Sequence, residues 1–272
     1  MRSDALNPAT PSEIAASFDA RAATYNGNVW HRLLAEQLVS MCGILPGQVV
    51  LDAATGTGFA AFAASGLVGQ TGRVIGVDLS NGMLDVARRH AGRAGEAPIE
   101  WLQGDASQLS SLAAASIDVV TCVAGLLYMP VRRALDEWSR ILKPGGTVAF
   151  TSMAAGFPVP GRVFRECAEA FGVRLLDPSA LLGSEDACRA ALEASGFSVT
   201  TVMRRGITFS PQDIGHAWAS NVQSPAHAAV HAIGADALAR MRTAFEEAMR
   251  REEQSNPSGM SNAEVLLALG RR

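Results

Sequence analysis

Three carboxylates stand at comparable places in the first half of the chain, each ending a short, mostly apolar run. Asp52 follows Val49-Val50-Leu51, Asp78 follows Ile75-Gly76-Val77, and Asp105 follows Trp101-Leu102-Gln103-Gly104. Asp52 leads into Ala53-Ala54-Thr55-Gly56-Thr57-Gly58. Glycines in such a turn let the backbone approach a ligand, and the helix that follows offers its free N–H groups. Gly56–Ala61 fits the G-x-G-x-x-A dinucleotide pattern, but three details oppose that use. The glycines do not follow the strand directly, the Asp52 carboxylate would repel a pyrophosphate, and the loop lies deep in the chain behind a helical leader. Asp78, twenty residues past Gly58, is placed to accept from both hydroxyls of a ribose. Asp105 is placed to accept from an exocyclic amine such as that of adenine. Asp is also common in N-caps and turns, but three carboxylates at successive strand ends favour a ligand. That ligand would carry an ammonium, a ribose and an amino-purine, and no phosphate.

The elements that must position these groups are legible as an alternation. Apolar runs predict strands over Gln48–Leu51, Arg73–Val77, Ile99–Gln103, Ile117–Cys122 and Thr147–Ser152. Helical patterns fall over Phe59–Ser65, over Gly82–His90 with Ser80 as N-cap, and over Val131–Leu142, with a tight turn at Pro144-Gly145-Gly146. Continuous apolar strands alternating with helices mean a parallel sheet covered on both faces. Upstream, residues 1–11 read as a loose tail. Residues 12–42 read as helix broken at Asn26-Gly27-Asn28, with Leu33, Leu34, Leu38 and Met41 on one face. Downstream, helices are expected over Val163–Phe171, Glu185–Ser195 and all of 210–256, where Leu238, Met241, Phe245 and Met249 form a stripe. Strands are expected over Phe197–Phe209 and Glu264–Leu269. The whole reads as one domain over 1–272: a helical leader or lid (1–45), a ligand-binding core (46–153) and two cap insertions (154–183 and 210–260).

Composition narrows the function. With 272 residues and 48% hydrophobic residues the chain can bury a large core, which excludes wholesale disorder. A formal net charge of −3 argues against broad binding of nucleic acid. Cys42, Cys122, Cys167 and Cys188 form no C-x-x-C pair and have no His at metal-ligand spacing, so they read as reduced thiols of a cytoplasmic protein that binds no metal. Acidic residues at Asp4, Glu13 and Asp19 exclude a signal peptide at the start of the chain, and no apolar run is long enough for a membrane span.

Five motifs in order carry a resemblance: Leu51–Gly58, Gly76–Ser80 with Met83, Gly104-Asp105, Ile117-Asp118-Val119-Val120 and Leu142-Lys143-Pro144-Gly145-Gly146. From about Ser17 to Ser152, and again in the closing strands, the chain resembles the class I S-adenosylmethionine-dependent methyltransferases. It is closest to the small-molecule branch that includes the ubiquinone/menaquinone biosynthesis methyltransferases. The resemblance implies an α/β, Rossmann-like fold: a seven-stranded, mostly parallel sheet with an antiparallel last strand inserted beside Phe197–Phe209, helices on both faces and a helical cap. It also implies S-adenosyl-L-methionine as cofactor. By that likeness Gly56 and Gly58, with Ala53 beside them in the loop, approach the methionine part and Asp52 orders that end. Asp78 takes the ribose, and Asp105, preceded by Gly104, takes the adenine. Leu79 and Met83 flank the adenine ring, Ala106 offers it a backbone contact, Val123 meets the methionine moiety, and Tyr25 closes over the cofactor. Ala54 departs from the pattern, standing where the family commonly has Gly or Cys.

Transfer from a sulfonium is an in-line displacement that needs alignment, exclusion of water and, for some acceptors, a base. Tyr128, in the segment after the fourth strand, and His31, in the leader, are the catalytic candidates. His216, His227 and His231 lie in the late helical insertion. The Asn/Asp-Pro-Pro-aromatic motif of amino-methylating DNA enzymes is replaced here by Val123-Ala124-Gly125-Leu126, and no catalytic Pro-Cys pair or metal-ligand cluster is present, which disfavours nucleic-acid and metal-dependent catechol methylation. The cap carries Phe157, Val159, Phe164, Phe171, Leu181, Leu182, Trp218 and Met241, which suggests a small, largely apolar acceptor, methylated on O, C or N. The expected setting is secondary metabolism or a quinone-like pathway. The other function class is a protein that keeps the cofactor site for a non-methylating rearrangement or as a binding module. A small-molecule substrate and a second copy of the chain are the partners considered. The Asn26-Gly27-Asn28 break reads as a hinge by which the leader closes over the site.

Overall fold

The structure, a computed structural model, describes residues 9–27, 29–89 and 96–272. Seven strands form one sheet: β1 (Val49–Ala53), β2 (Arg73–Asp78), β3 (Ile99–Gln103), β4 (Ile117–Cys122), β5 (Leu142–Met153), β6 (Ser198–Thr208) and β7 (Asn262–Arg271). Their order across the sheet is β3-β2-β1-β4-β5-β7-β6. Neighbours among β1 to β5 pair in parallel, whereas β7 runs antiparallel to both β5 and β6. Strand order reverses between β1 and β4, and in such sheets a ligand crevice opens beyond the carboxyl ends of the strands at the reversal.

Helices cover both faces. Alternate side chains of β1 enter opposite cores: Leu51 joins Ile75, Trp138 and Phe150, while Val50 joins Leu34, Leu38 and Val68. The first face is closed by α5 (Val131–Ile141), whose Val131, Ala134, Leu135, Trp138 and Ile141 recur at helical spacing and are buried. The second is closed by α2 (Val29–Met41) and α3 (Phe59–Val68). The leader helix α1 (Pro11–Arg21) opens with a capping box between Thr10 and Glu13 and lies across the strand tips. It is held there from both sides. Asp19 Oδ1 accepts from Ser80 Oγ at 2.6 Å and from the Gly82 amide at 2.8 Å, at the start of α4 (Asn81–Arg88). Ser17 Oγ donates to the Gln223 carbonyl at 2.9 Å. A third apolar cluster makes the cap. In it α6 (Val159–Ala170) brings Val163 and Phe164 against Val230 and against Met241, Phe245 and Met249 of a long late helix, residues 235–255.

The sequence reading of the sheet holds, including the antiparallel strand beside Phe197–Phe209. Three local features differ from expectation. The 210–256 segment is not one helix: it divides into α7 (Pro211–Gly215), α8 (Ala217–Val222), a 3₁₀ stretch over Pro225–Ile233 and α9 (Ala235–Ser255). Pro225 cannot donate within a helix, and Gly234 at φ +83° breaks the chain again before α9. Pro144-Gly145-Gly146 lies inside β5, at a register shift where Ile117↔Leu142 gives way to Val119↔Thr147. Leu33, expected on the buried face of α2, is 53% exposed, while Ala35 and Val39 take the inner face with Leu34 and Leu38. His90 and Asn28, at the ends of two sequence expectations, lie outside the described residues.

Candidate active site

The loop after β1 is braced from beneath. The Asp52 side chain is buried at 1% exposure and accepts three hydrogen bonds: from Thr55 Oγ1 at 2.6 Å, Thr121 Oγ1 at 2.9 Å and the Ala61 amide at 3.1 Å. Burial pushes its carboxyl up to about 6, against the pull of these donors. Asp52 therefore ties β1, β4 and α3 together and shapes the loop. The loop turns into α3 at Gly58, whose φ of +93° favours glycine, and a Cβ there would stand 2.7 Å from Trp101 Cη2.

Asp78 sits one step nearer the crevice. Its Oδ2 accepts from the Gly56 amide at 2.7 Å and its Oδ1 from the Ser80 amide at 2.9 Å. Burial raises its pKa. Both oxygens retain lone pairs toward the crevice, so the carboxylate fits a pair of vicinal hydroxyls. Asp105 is oriented by its own turn: Oδ1 accepts from the amide and hydroxyl of Ser107, at 2.8 and 2.7 Å. The turn is pinned from below by Trp138, whose Nε1 donates to the Ala106 carbonyl at 2.8 Å. Gly104 donates its amide to the Asp78 carbonyl at 2.9 Å, which fixes the spacing of the two carboxylates.

These groups share a pocket of about 90 Å³ at the strand tips. Of the residues singled out from sequence, Tyr25, Gly56, Asp78, Leu79, Met83, Asp105, Ala106, Val123 and Tyr128 line it. Asp52, Ala53, Gly58 and Gly104 do not line it, and His31 lines the larger cavity instead. Sequence reasoning missed the outer wall, formed by Pro11, Ile14 and Phe18 of α1, and the inner wall of Ala54, Ala124 and Gly125. Ala54 and Ala124 both have left-handed backbones, at φ +54° and +52°, a rarity for non-glycine residues that clusters at functional sites. Ala54 standing where the resembled family has Gly was the available clue.

Phe18, Tyr25, Ala124 and Tyr128 also face a second cavity of about 660 Å³, roofed by the cap. The partition is aromatic: the Phe18 ring meets Tyr128 edge-on at 5.2 Å and Tyr25 at 6.3 Å. His31 opens onto the large cavity, stacked on Trp30 at 3.6 Å and on Tyr25 at 4.8 Å. Burial and the nearby Arg21 charge lower its pKa to about 3, so its imidazole is neutral near pH 7. Burial raises the Tyr25 phenol, which stays protonated. Most of the apolar cap residues serve packing rather than the cavity wall. Phe157 lines the cavity, but Val159, Phe164, Phe171 and Met241 close the cap's own core, and Leu181 and Leu182 pack on the main core. The wall is mostly apolar but includes the polar residues Arg21, Arg165, Asn221 and the buried His227.

Residues 51–150 match a family model described as a methyltransferase domain. An arsenite methyltransferase of Halobacterium salinarum is 30% identical over 171 residues, covering 60% of this chain and 40% of its own. A demethylmenaquinone methyltransferase of Lactococcus lactis is 40% identical over 119 residues, covering 43% of this chain and 47% of its own. The chain spans about half the length of the curated relatives it matches. A Bacillus halodurans protein described as a methyltransferase shares the fold with a TM-score of 0.58 at 18% identity, over 87% of this chain and 97% of that one. The matched core, with its braced glycine loop and strand-end carboxylates, is a class I S-adenosylmethionine-dependent methyltransferase domain. Within that class it resembles the ubiquinone/menaquinone methyltransferases. Among the described residues no group of His, Cys, Asp and Glu could hold a metal ion, and no helix is long and apolar enough to cross a membrane.

Proposed function

We propose that the chain binds S-adenosylmethionine in the strand-tip pocket and methylates a small molecule held in the capped cavity. One observation carries the reading: Asp78 and Asp105 line a pocket that shares Phe18, Tyr25, Ala124 and Tyr128 with a second, larger cavity. The residues fit the cofactor by donor and acceptor type. Asp78 would accept from the ribose hydroxyls, Asp105 from the adenine amine, and Leu79 and Met83 would cover the purine. When bound, the cofactor would supply an electrophilic methyl group on a sulfonium. Tyr25 would exclude water from the aromatic partition, and Tyr128, which faces both spaces, would orient the acceptor. His31, neutral and on the acceptor side, would also orient the acceptor by hydrogen bonding; burial and the Arg21 charge make it too weak a base to take up a proton readily near pH 7.

The domain division from sequence fits the same reading, with 1–45 as lid, 46–153 as cofactor core and the two insertions as the roof of the acceptor cavity. Secondary metabolism is the setting we infer for a cap so large relative to the core. Calorimetric titration with S-adenosylhomocysteine tests the pocket, with one site per chain expected. Incubation with methyl-labelled cofactor and a small-molecule extract tests the reaction. Label transferred to an organic product, with S-adenosylhomocysteine formed, supports methylation; binding with the cofactor returned intact would leave only a binding or rearrangement role.

A further inference from the structure

Arg21 lacks an acidic partner among the ion pairs of the described residues. Its Nε donates to the Ser17 carbonyl at 3.2 Å, and its guanidinium lies over the Phe18 ring at 4.4 Å. Its Nη2 is buried with no hydrogen-bond partner, and the residue lines the large cavity. The other charges on that wall are engaged. Arg165 pairs with Asp177 at 3.1 Å, and the remaining Asp177 oxygen accepts from Ser179. Asp213 closes the capping box of Ser210 at the start of α7. A second polar group on the wall is also unsatisfied. His227, 3% exposed, holds its Nδ1 against the Asn221 carbonyl at 3.1 Å; a carbonyl only accepts, so Nδ1 carries the proton and Nε2 is a bare acceptor, buried and without a partner.

A half-buried guanidinium with one sealed, unpaired nitrogen and an unpaired buried acceptor are costly in a cavity that holds only water or apolar groups. We infer that the methyl acceptor is an acidic small molecule whose carboxylate, or another oxyanion in that position, is bound by the Arg21 guanidinium. The His227 acceptor would meet a hydroxyl or N–H elsewhere on the same molecule. The inference rests on the reading of the cavity as the acceptor site. It refines the apolar acceptor expected from sequence: the body of the molecule meets Phe157 and the aromatic partition, and one end is charged. It also joins recognition to closure, because Arg21 ends the leader helix that walls both spaces.

The test uses the full chain and two fluorescent probes of nearly equal shape, 2-naphthoate and 2-naphthamide, titrated in the presence of saturating S-adenosylhomocysteine. In the wild type the acid is expected to bind roughly tenfold or more tighter than the amide, the worth of one charge-assisted hydrogen bond. Arg21→Gln should bring the two probes to equal affinity, with the melting temperature as control for folding. Arg21→Lys, which keeps the charge without the planar fork, should keep part of the preference. Equal affinity of the two probes for the wild type, no naphthoate binding at millimolar concentration, or a preference that survives Arg21→Gln would overturn the inference. The S-adenosylhomocysteine titration is read separately. Its failure with the naphthoate preference intact would remove the methyl-transfer reading and leave an anion-binding cavity.

Discussion

At the scale of single residues, Asp78 does two jobs that one substitution will expose together. It orients the loop through the Gly56 amide and presents its remaining lone pairs to the crevice. Asp78→Ala should weaken S-adenosylhomocysteine binding by tenfold or more, since charge-assisted hydrogen bonds are worth about 1.5–3 kcal/mol each; an unchanged dissociation constant in calorimetry would refute the ribose assignment. A second pair of residues tests the inner wall. A Cβ added at Gly125 would lie 2.5 Å from the Ala54 Cβ, and Ala54 itself is held at φ +54°. Gly125→Ala should therefore cost about 1–3 kcal/mol by overpacking. In an Ala54→Gly background, which removes both the obstructing methyl and the left-handed strain, the same change should cost clearly less. Urea denaturation of the four proteins measures that coupling. The three strand-end carboxylates were legible in the sequence because each ends an apolar run. Their division of labour was not: which one faces inward depends on Thr55, Thr121 and Ala61, whose contacts arise only when β1, β4 and α3 are assembled.

At the scale of elements, the leader decides access. The strand-tip pocket holds about 90 Å³, well below the several hundred cubic ångströms typical of ligand sites, and its outer wall is α1. Admission of a cofactor larger than that space is expected to displace α1. Asp19 on the start of α4 and Ser17 on the cap are the contacts it must release. Hydrogen exchange over residues 14–27 should slow on addition of S-adenosylhomocysteine, and Asp19→Ala should speed it in the free protein. Equal protection with and without ligand, in both proteins, would show a static helix and would take from Tyr25 its role as a closing residue. The helical patterning and the break near Gly27 were readable from residue spacing. The docking of α1 was not, because it depends on three hydrogen bonds to two segments about 60 and 200 residues away in sequence.

At the scale of the molecule, two buried imidazoles set the response to acid. Burial lowers His227 to about 4 and His31 to about 3, both below the ordinary value of about 6.5 that the unfolded chain restores. Their contribution to stability is complete above about 6.5 and is lost as pH falls toward 4, because the unfolded chain then binds protons that the folded one excludes. Asp52, raised to about 6, acts in the opposite sense between about 4 and 6: it loses stability as pH rises. Asp78, also raised by burial, acts in the same sense as Asp52, whereas the two histidines make the urea midpoint fall as pH drops from about 6.5 toward 4. His227→Gln should flatten that fall, and an unchanged slope would contradict the burial argument. The sheet topology was legible because the strands are apolar throughout and recur with helices between them. The cap was read too simply, because Pro225 and Gly234 each divide what a hydropathy pattern shows as a continuous helix.

The place of β7 between β5 and β6 also sets a timetable for biosynthesis. β6 has no neighbour but β7, and β5 remains an open edge until β7 arrives. Residues 198–208 therefore leave the ribosome before their partner exists and must wait for about sixty more residues to be made. That partner, Ala263–Leu269, is almost wholly apolar and becomes buried on both faces. A nascent chain halted short of Asn262 would display two unpaired strands at once, the sort of surface on which chains associate with one another. The same insertion that completes the sheet makes its synthesis all-or-nothing, and polypeptides truncated within the last strand should be recovered in the aggregated fraction rather than as folded protein with a weakened site.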